Sequence, residues 1–222
     1  MDLSRVLVFV AHPDDEVIGC GGTIRKAVKQ GGKVRVVVFN PGGKSVAETT
    51  DEAVGQATRL SELDRVSDFL GFDHESWNIA EISNRREVVR KVVSEIRSFK
   101  PTMILTHSPG DRHHLHAEVS SVVSEATWHA TQLYYLDLGQ PWTPSAIYYF
   151  EVWDLFLQPS AIVNISDYMD DKVAAMKLYA SQVEVFPYIL DYLRALGKVR
   201  GLPMGFSYGE ALMRSQALTE TG

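Results

Sequence analysis

The feature that most constrains this chain is the alternation of short apolar strands with helices near its N-terminus. Strands are predicted over residues 6–11 and 33–39, both rich in β-branched residues, as is typical of strands buried on both faces. Residues 19–22 are glycine-rich and precede a predicted helix over 23–29, which Gly31 and Gly32 end. A strand, a helix and a strand in this order indicate a βαβ unit, and therefore a parallel sheet with right-handed crossovers.

The rest of the chain continues this alternation. Further helices are predicted over residues 51–70, 85–99, 113–131 and 167–185, and further strands over 103–106, 146–150 and 161–165. Asp167 is expected to cap the last of these helices, and the C-terminal part is predicted to mix helix and loop. We expect one domain over residues 1–222, a Rossmann-like α/β sandwich with a mostly parallel sheet. Sites in such sheets form at the carboxyl ends of the strands.

Composition excludes several classes of partner. The formal net charge is −6, from 22 basic and 28 acidic side chains, and no basic patch indicates nucleic-acid binding. The one cysteine, Cys20, cannot form an intrachain disulfide, which fits a reducing compartment. The apolar run at 6–11 is too short to span a membrane and has no basic leader before it. We therefore expect a cytoplasmic protein without a membrane span.

Polar clusters follow two of the predicted strands. They comprise His12, Asp14, Asp15 and Glu16 after the first strand, and His107, Asp111, His113, His114 and His116 after residues 103–106. Imidazole and carboxylate groups without a thiolate suit Zn²⁺ or another divalent transition metal. For the first cluster alone, a helix N-terminus, where acidic side chains interact favourably with the helix dipole, is an equally good explanation.

The second cluster favours a metal site over that explanation. His113 and His116 are three residues apart, so on a helix they share one face. With His12 and Asp15 they make a three-ligand site available, and catalytic zinc typically keeps three protein ligands and an open position. Adjacent carboxylates also allow one to bind metal while the other stays free as a base. A solvated loop remains the alternative for any single histidine.

Three segments together resemble a known family. The segments AHPDDE at 11–16 and GCGGTI at 19–24 are similar to the first signature of the LmbE-like/PIG-L zinc-dependent N-deacetylases. DRHHLH at 111–116 resembles the family's D-x-H-x-D-H pattern. Arg59, Glu62 and the pair Ser181 and Gln182 also fit the usual layout, so the resemblance covers most of the chain.

The resemblance implies a role for each matching residue. One Zn²⁺ per chain would be held by His12, Asp15 and His116, with Asp14 as general base. His113 would stabilise the oxyanion and help to protonate the leaving amine, and Arg59 and Asp111 would lie at substrate-binding positions. Family members remove acetyl groups from N-acetylglucosamine units in glycolipids, thiol cofactors, polysaccharides and antibiotics. The expected partner is therefore a small N-acetylated amino sugar or glycoside. Relatives often assemble, which leaves a homo-oligomer open.

Leu115 is the one clear departure from the family pattern. An acidic residue at this position pairs with a neighbouring histidine and raises its pKa, so the charge state of His113 here depends on another acid. A non-catalytic metal- or carbohydrate-binding relative is one alternative, although such a protein has no need of Asp14 as a free base. An amidohydrolase with a different N-acyl substrate is another.

A dinucleotide site is also suggested by the glycines at 19–22. The match is poor, because Ile24 occupies the place of the third fingerprint glycine. The HPDDE segment also separates the strand from these glycines. They are better explained as allowing a helix to pack closely beside the metal site.

Overall fold

The computed structural model describes residues 1–43 and 51–216. Within these ranges one sheet has the strand order β3-β2-β1-β4-β5-β7-β6. Its strands are β1 (Arg5–Val10), β2 (Lys33–Val38), β3 (Asp73–Ser76), β4 (Met103–His107), β5 (Ala146–Phe150), β6 (Ala161–Asn164) and β7 (Gly209–Arg214). The five strands β1 to β5 run parallel, and β7 pairs antiparallel with β5 and β6. The prediction of a mostly parallel sheet is confirmed.

Helices cover both faces of this sheet. They are α1 (Asp15–Lys29), α2 (Glu52–Leu70), α3 (Arg85–Phe99), α4 (His114–Thr131), α5 (Met169–Leu178), α6 (Ala180–Val185) and α7 (Ile189–Gly201). Alternate side chains of β1 point to opposite faces: Val8 lies in the apolar cluster that includes α1, α2, α5 and α7 residues, and Phe9 in the cluster that includes α3 and α4 residues. This double burial explains the uninterrupted apolar run at 6–11.

The register of β1 brings the two polar clusters together. Val8 pairs with Val36 of β2 on one side and with Leu105 of β4 on the other. The carboxyl ends of β1 and β4 are therefore adjacent, so the residues that follow them meet at one edge of the sheet, as expected.

Several predicted boundaries need correction. The helix expected at 23–29 begins at Asp15 and passes through the glycines, with a kink at Cys20, where φ is −146°. The helix expected at 167–185 is broken into a 3-10 turn (Ser166–Tyr168), α5 and α6, and Asp167 makes no side-chain cap. The strands β3 and β7 were not predicted. Among the described residues, no helix is both long and apolar enough to cross a membrane.

The kink in α1 is held by a buried ion pair. Glu210 of β7 accepts hydrogen bonds from the backbone N–H groups of Gly22 (2.9 Å) and Thr23 (2.7 Å), which begin the second half of the helix. Lys172 donates to the carbonyl of Ile18 (2.9 Å), at the end of the first half, and to Glu210 (2.6 Å). Each half of α1 therefore has its own cap. Contacts from α5 and β7 fix the direction of the first half of the helix.

Two glycines of α1 allow close packing on the sheet. A Cβ at Gly19 would lie 2.2 Å from the fully buried ring of Phe150, and a Cβ at Gly22 would lie 2.8 Å from Ile165. Both distances are too short for a real contact. Gly19 and Gly22 therefore allow the helix to pack closely beside the site, as expected from the sequence.

We predict that Gly19→Ala lowers the free energy of unfolding by about 1–3 kcal/mol, the usual cost of overpacking a core. Gly21→Ala is the matched control, because its Cβ would lie 3.4 Å from Lys172 and Val17, close to ordinary contact. Urea denaturation of both variants measures the difference. Equal stability of the two variants would contradict the packing described for α1.

Candidate metal and catalytic site

The site begins in a strained turn after β1. Asp14 has a φ of 106°, a backbone conformation that is rare outside glycine. Its N–H donates to Glu16 (3.0 Å), and Glu16 accepts a second hydrogen bond from the hydroxyl of Tyr179 (2.6 Å). Burial raises the pKa of Glu16 to about 8, so this side chain is largely neutral at pH 7. The turn is thus fixed by a buried pair that reaches from α1 to the end of α5.

Asp15 lies among three imidazole rings. Its Oδ2 accepts a hydrogen bond from the backbone N–H of His12 (2.8 Å). The same oxygen is 3.5 Å from Nδ1 of His12, and 3.4 Å from Nε2 of both His107 and His116. Burial opposes ionisation of Asp15, but His116 and His107 hold its pKa well below the ordinary value. A buried anion therefore sits at the focus of these nitrogen atoms.

Asp111 lies behind His116. Its Oδ1 is 3.4 Å from Nδ1 of His116 and accepts a hydrogen bond from the N–H of His113 (2.9 Å). Its Oδ2 accepts from the N–H of Trp153 (3.1 Å). A carboxylate on this side of the ring favours a proton on Nδ1 of His116 and leaves Nε2 facing Asp15, the arrangement usual for metal-binding histidines.

His113 lies one residue before α4 begins, so it does not share a helical face with His116 in the way expected. Its ring nevertheless stacks on that of His116, with centroids 4.4 Å apart, and meets the ring of His12 at 5.0 Å. Burial, together with the charges of His116 and His12, lowers the pKa of His113. The lowered pKa favours the neutral imidazole of His113, and this side chain lines the cavity.

Leu115 points away from these histidines. It is 7% exposed and belongs to the apolar cluster shared with β1, α3 and α4. The nearby acid, Asp111, faces the ring of His116 instead of that of His113. The family pattern places a carboxylate at position 115. Asp111 does not take its place beside the ring of His113.

Arg59 of α2 contacts the predicted base. Its guanidinium is buried, lies 3.3 Å from Oδ1 of Asp14 and donates to the carbonyl of Pro13. Burial raises the pKa of Asp14 to about 6, against the opposing charge of Arg59. Asp14 is therefore mostly ionised at pH 7 and still basic enough to accept a proton.

His107 received no role from the sequence. It ends β4, is fully buried, and its Nε2 accepts a hydrogen bond from the N–H of Ala11 (2.9 Å). Its ring stacks on His116, with centroids 3.9 Å apart, and burial lowers its pKa to about 4. His107 thus packs against one face of the His116 ring and restricts its orientation. Its position at the carboxyl end of a buried strand was the available signal.

A cavity of about 450 Å³ opens over these residues. The predicted site residues on its wall are His12, Asp14, Asp15, Arg59, His113 and His116. Asp111 is buried behind His116 and is not on the wall. The structure therefore brings together all but one of the predicted site residues at a single opening.

The donor set fits a divalent transition metal. Among the described residues, the possible ligand atoms of His12, His113 and His116 lie within 4.8 Å of one another, as do those of Asp15, His107 and His116. Although burial opposes it, Asp15 and Asp111 raise the pKa of His116, so the site attracts positive charge. Imidazole nitrogens around one carboxylate oxygen suit zinc better than magnesium or calcium.

Comparison with known proteins identifies the family. The model of the family described as "PIG-L: GlcNAc-PI de-N-acetylase" matches residues 7–127. This segment contains both polar clusters and more than half of the chain. The chain belongs to the PIG-L family.

Three individual proteins show what this chain resembles within and beyond that family. The chain is 29% identical to the diacetylchitobiose deacetylase of Thermococcus kodakarensis, over 95% of this chain and 83% of that protein. It superposes on the N,N'-diacetylchitobiose deacetylase of Pyrococcus horikoshii with a TM-score of 0.81 at 26% identity, covering 97% and 85% of the two chains. It also superposes on the 4-carboxy-2-hydroxymuconate hydratase GalB of Pseudomonas putida, with a TM-score of 0.80 at 22% identity, covering 98% and 99%. This last likeness shows the fold alone, since one fold hosts different reactions.

We predict that Asp111→Asn weakens Zn²⁺ binding by roughly 10–100-fold, as expected when the partner behind a metal-binding histidine loses its charge. Competition with a chromophoric chelator measures the affinity. His114→Ala is the control, because this side chain is 87% exposed and should leave the affinity unchanged. Wild-type affinity in Asp111→Asn would show that Asp111 does not orient a metal ligand.

Proposed function

We propose that this chain is a zinc-dependent N-deacetylase that hydrolyses the N-acetyl group of an amino sugar or of its glycoside. The observation that best supports this reaction is the position of Asp14. Its carboxylate lies on the cavity wall, contacts Arg59 and is next to the cluster around Asp15. Membership of the PIG-L family and the activity named for the Thermococcus relative support the same reaction. Residues 1–222 are taken as one functional domain in the cytoplasm.

His12, Asp15 and His116 are the proposed ligands of one metal ion. The distances from Asp15 Oδ2 to Nδ1 of His12 and Nε2 of His116 support this set, while Nε2 of His107 is already used by the N–H of Ala11. When bound, a Zn²⁺ ion polarises a carbonyl group and lowers the pKa of water. Other divalent transition metals share these ligand preferences.

Asp14 is the proposed general base. With a pKa of about 6, it is ionised at pH 7 and accepts a proton from the water that attacks the acyl carbon. Arg59 fixes the direction of this carboxylate through the contact with Oδ1. Activity should fall as the pH drops through about 6, because protonated Asp14 cannot accept a proton.

His113 is proposed to donate a hydrogen bond to the oxyanion that develops on the acyl oxygen. A lowered pKa leaves its imidazole neutral at pH 7, which suits a hydrogen-bond donor better than a proton donor. Asp14, protonated in the first step, then returns its proton to the departing amine. Acetate and a free amino sugar are the products, with no covalent enzyme intermediate.

Arg59 and Asp111 have different proposed relations to substrate. Arg59 lies on the cavity wall, where it contacts Asp14 and is in a position to meet the sugar. Asp111 has both oxygens directed at His116, His113 and Trp153. We therefore assign Asp111 to positioning His116, and not to the substrate contact suggested by the sequence.

The test is release of acetate and free amine by zinc-loaded protein from a panel of N-acetylated amino sugars. Asp14→Asn should retain the metal and lose rate by a factor on the order of a hundred or more, as for other lost general bases. Asp170→Asn, with a side chain 93% exposed, is the matched control and should keep full activity.

Three outcomes would contradict this proposal. Absence of acetate release from every sugar by metal-loaded wild type would exclude the deacetylase. A fully active Asp14→Asn would exclude Asp14 as base. Loss of zinc from Asp14→Asn would make Asp14 a ligand and reverse the division of roles between the two aspartates.

A further inference from the structure

The loop that follows β5 is tied to the metal site by a backbone hydrogen bond. Oδ2 of Asp111 accepts from the N–H of Trp153 (3.1 Å), while Oδ1 of the same carboxylate faces Nδ1 of His116 (3.4 Å). Residues 151–156, here called the β5 loop, therefore lie directly behind the carboxylate that orients a proposed metal ligand. The donor is a main-chain group, so its direction depends on how the loop is held.

Tyr192 of α7 holds the middle of the β5 loop. Its hydroxyl donates to the carbonyl of Val152 (2.7 Å). This carbonyl and the N–H of Trp153 belong to the same peptide unit, which is planar. Tyr192 and Asp111 therefore bind the two polar groups of one rigid plate, and a hydrogen bond that fixes the carbonyl also fixes the direction of the N–H. Hydrogen bonds joined in this way strengthen one another.

A buried ion pair closes the β5 loop. Glu151, at its first position, accepts from the N–H of Phe156 at its last position (2.6 Å). Arg200 of α7 donates to both carboxylate oxygens of Glu151 and to the carbonyl of Phe156 (2.8 Å). The two charged side chains are 15% and 3% exposed. Arg200 thus holds both ends of the loop with one planar guanidinium, whose donors form a fixed fork.

The same ion pair lies beside the pair that caps α1. A small cavity next to the first half of α1 is lined by Glu151 and Arg200 together with Lys172 and Glu210. Lys172 and Glu210 hold the two halves of α1 at its kink. The first half of α1 and the β5 loop are therefore held from one buried cluster of four charged side chains.

We propose that Tyr192 and Arg200 are positioning residues of the metal site, which hold His116 in place through the β5 loop and Asp111. Tyr192 fixes the peptide unit that donates to Asp111, and Arg200 fixes the ends of the loop that contains this unit. The inference rests on the proposed function, because it takes His116 as a metal ligand. It assigns part of the metal affinity to α7, which lies outside residues 7–127 that the family model matches.

Zinc affinity, measured by competition with a chromophoric chelator, tests the proposal. Tyr192→Phe removes one hydroxyl and should weaken zinc binding about threefold, the size of one ordinary hydrogen bond. Arg200→Gln should weaken it about tenfold, the lower end of the loss expected for a residue that orients a metal ligand. Arg200→Lys should recover part of this loss, because an ammonium group pairs with Glu151 but lacks the planar fork that reaches both ends of the loop.

Two controls separate positioning from general destabilisation. Arg194→Gln should keep wild-type affinity, because this arginine of α7 forms an exposed ion pair with Asp170 (2.9 Å). In an Asp111→Ala background, Tyr192→Phe and Arg200→Gln should each change the affinity by less than about twofold, since effects that pass through one shared partner are not additive. A merely structural role of these residues would lower the affinity equally in both backgrounds.

Equal losses in the two backgrounds, or wild-type affinity in folded Tyr192→Phe, would overturn the proposal. Tyr192→Phe decides the matter if Arg200→Gln does not fold, because it deletes a single oxygen atom. Wild-type protein that binds no zinc would refute the metal site and this inference together. Zinc binding with the expected variant effects but without acetate release would refute the deacetylase alone.

Discussion

The buried carboxylate of Asp15 lies within 3.5 Å of nitrogen atoms from His12, His107 and His116, and the arrangement of the site follows from it. A buried anion is costly unless it is paired with positive charge or hydrogen bonds. The backbone hydrogen bond from His12 compensates only part of that cost, and a divalent metal bound by the neighbouring imidazoles would supply positive charge directly. The parallel pairing of β1 with β4 is what brings these residues to one point, since they belong to segments nearly a hundred residues apart.

The surroundings of Asp15 are built to resist movement. Asp14 has a positive φ, and a rare backbone conformation of this type costs of order 1–3 kcal/mol in a residue other than glycine. The hydrogen-bonded pair Glu16 and Tyr179 holds the backbone of Asp14 in this conformation. Farther along α1, Glu210 and Lys172 hold the kink. The proposed base and the proposed metal ligand therefore lie on a turn whose geometry is set by α5 and β7, in agreement with the need of a catalytic site for fixed groups.

Much of this could be predicted from local sequence, and the rest could not for identifiable reasons. Continuous apolar runs bounded by glycine and proline predicted β1, β2 and β4, and apolar spacing predicted α3. The edge strand β3 escaped prediction because its sequence, Asp-His-Glu-Ser, lacks apolar residues. The contact of His107 with His116, and that of Asp111 with His116, depend on how strands and loops meet in space. Spacing along the chain does not predict such contacts. Residue identity thus indicated the chemistry, while the tertiary structure assigned the supporting roles.

The most direct test of this account is anomalous diffraction at the zinc absorption edge from crystals of zinc-loaded protein. One peak per chain is predicted, coordinated by His12, Asp15 and His116 at about 2.0–2.2 Å, with Asp14 outside the coordination sphere and an open position toward the cavity. A peak coordinated by His107 or Asp14, or no peak in fully folded protein, would contradict the central claim.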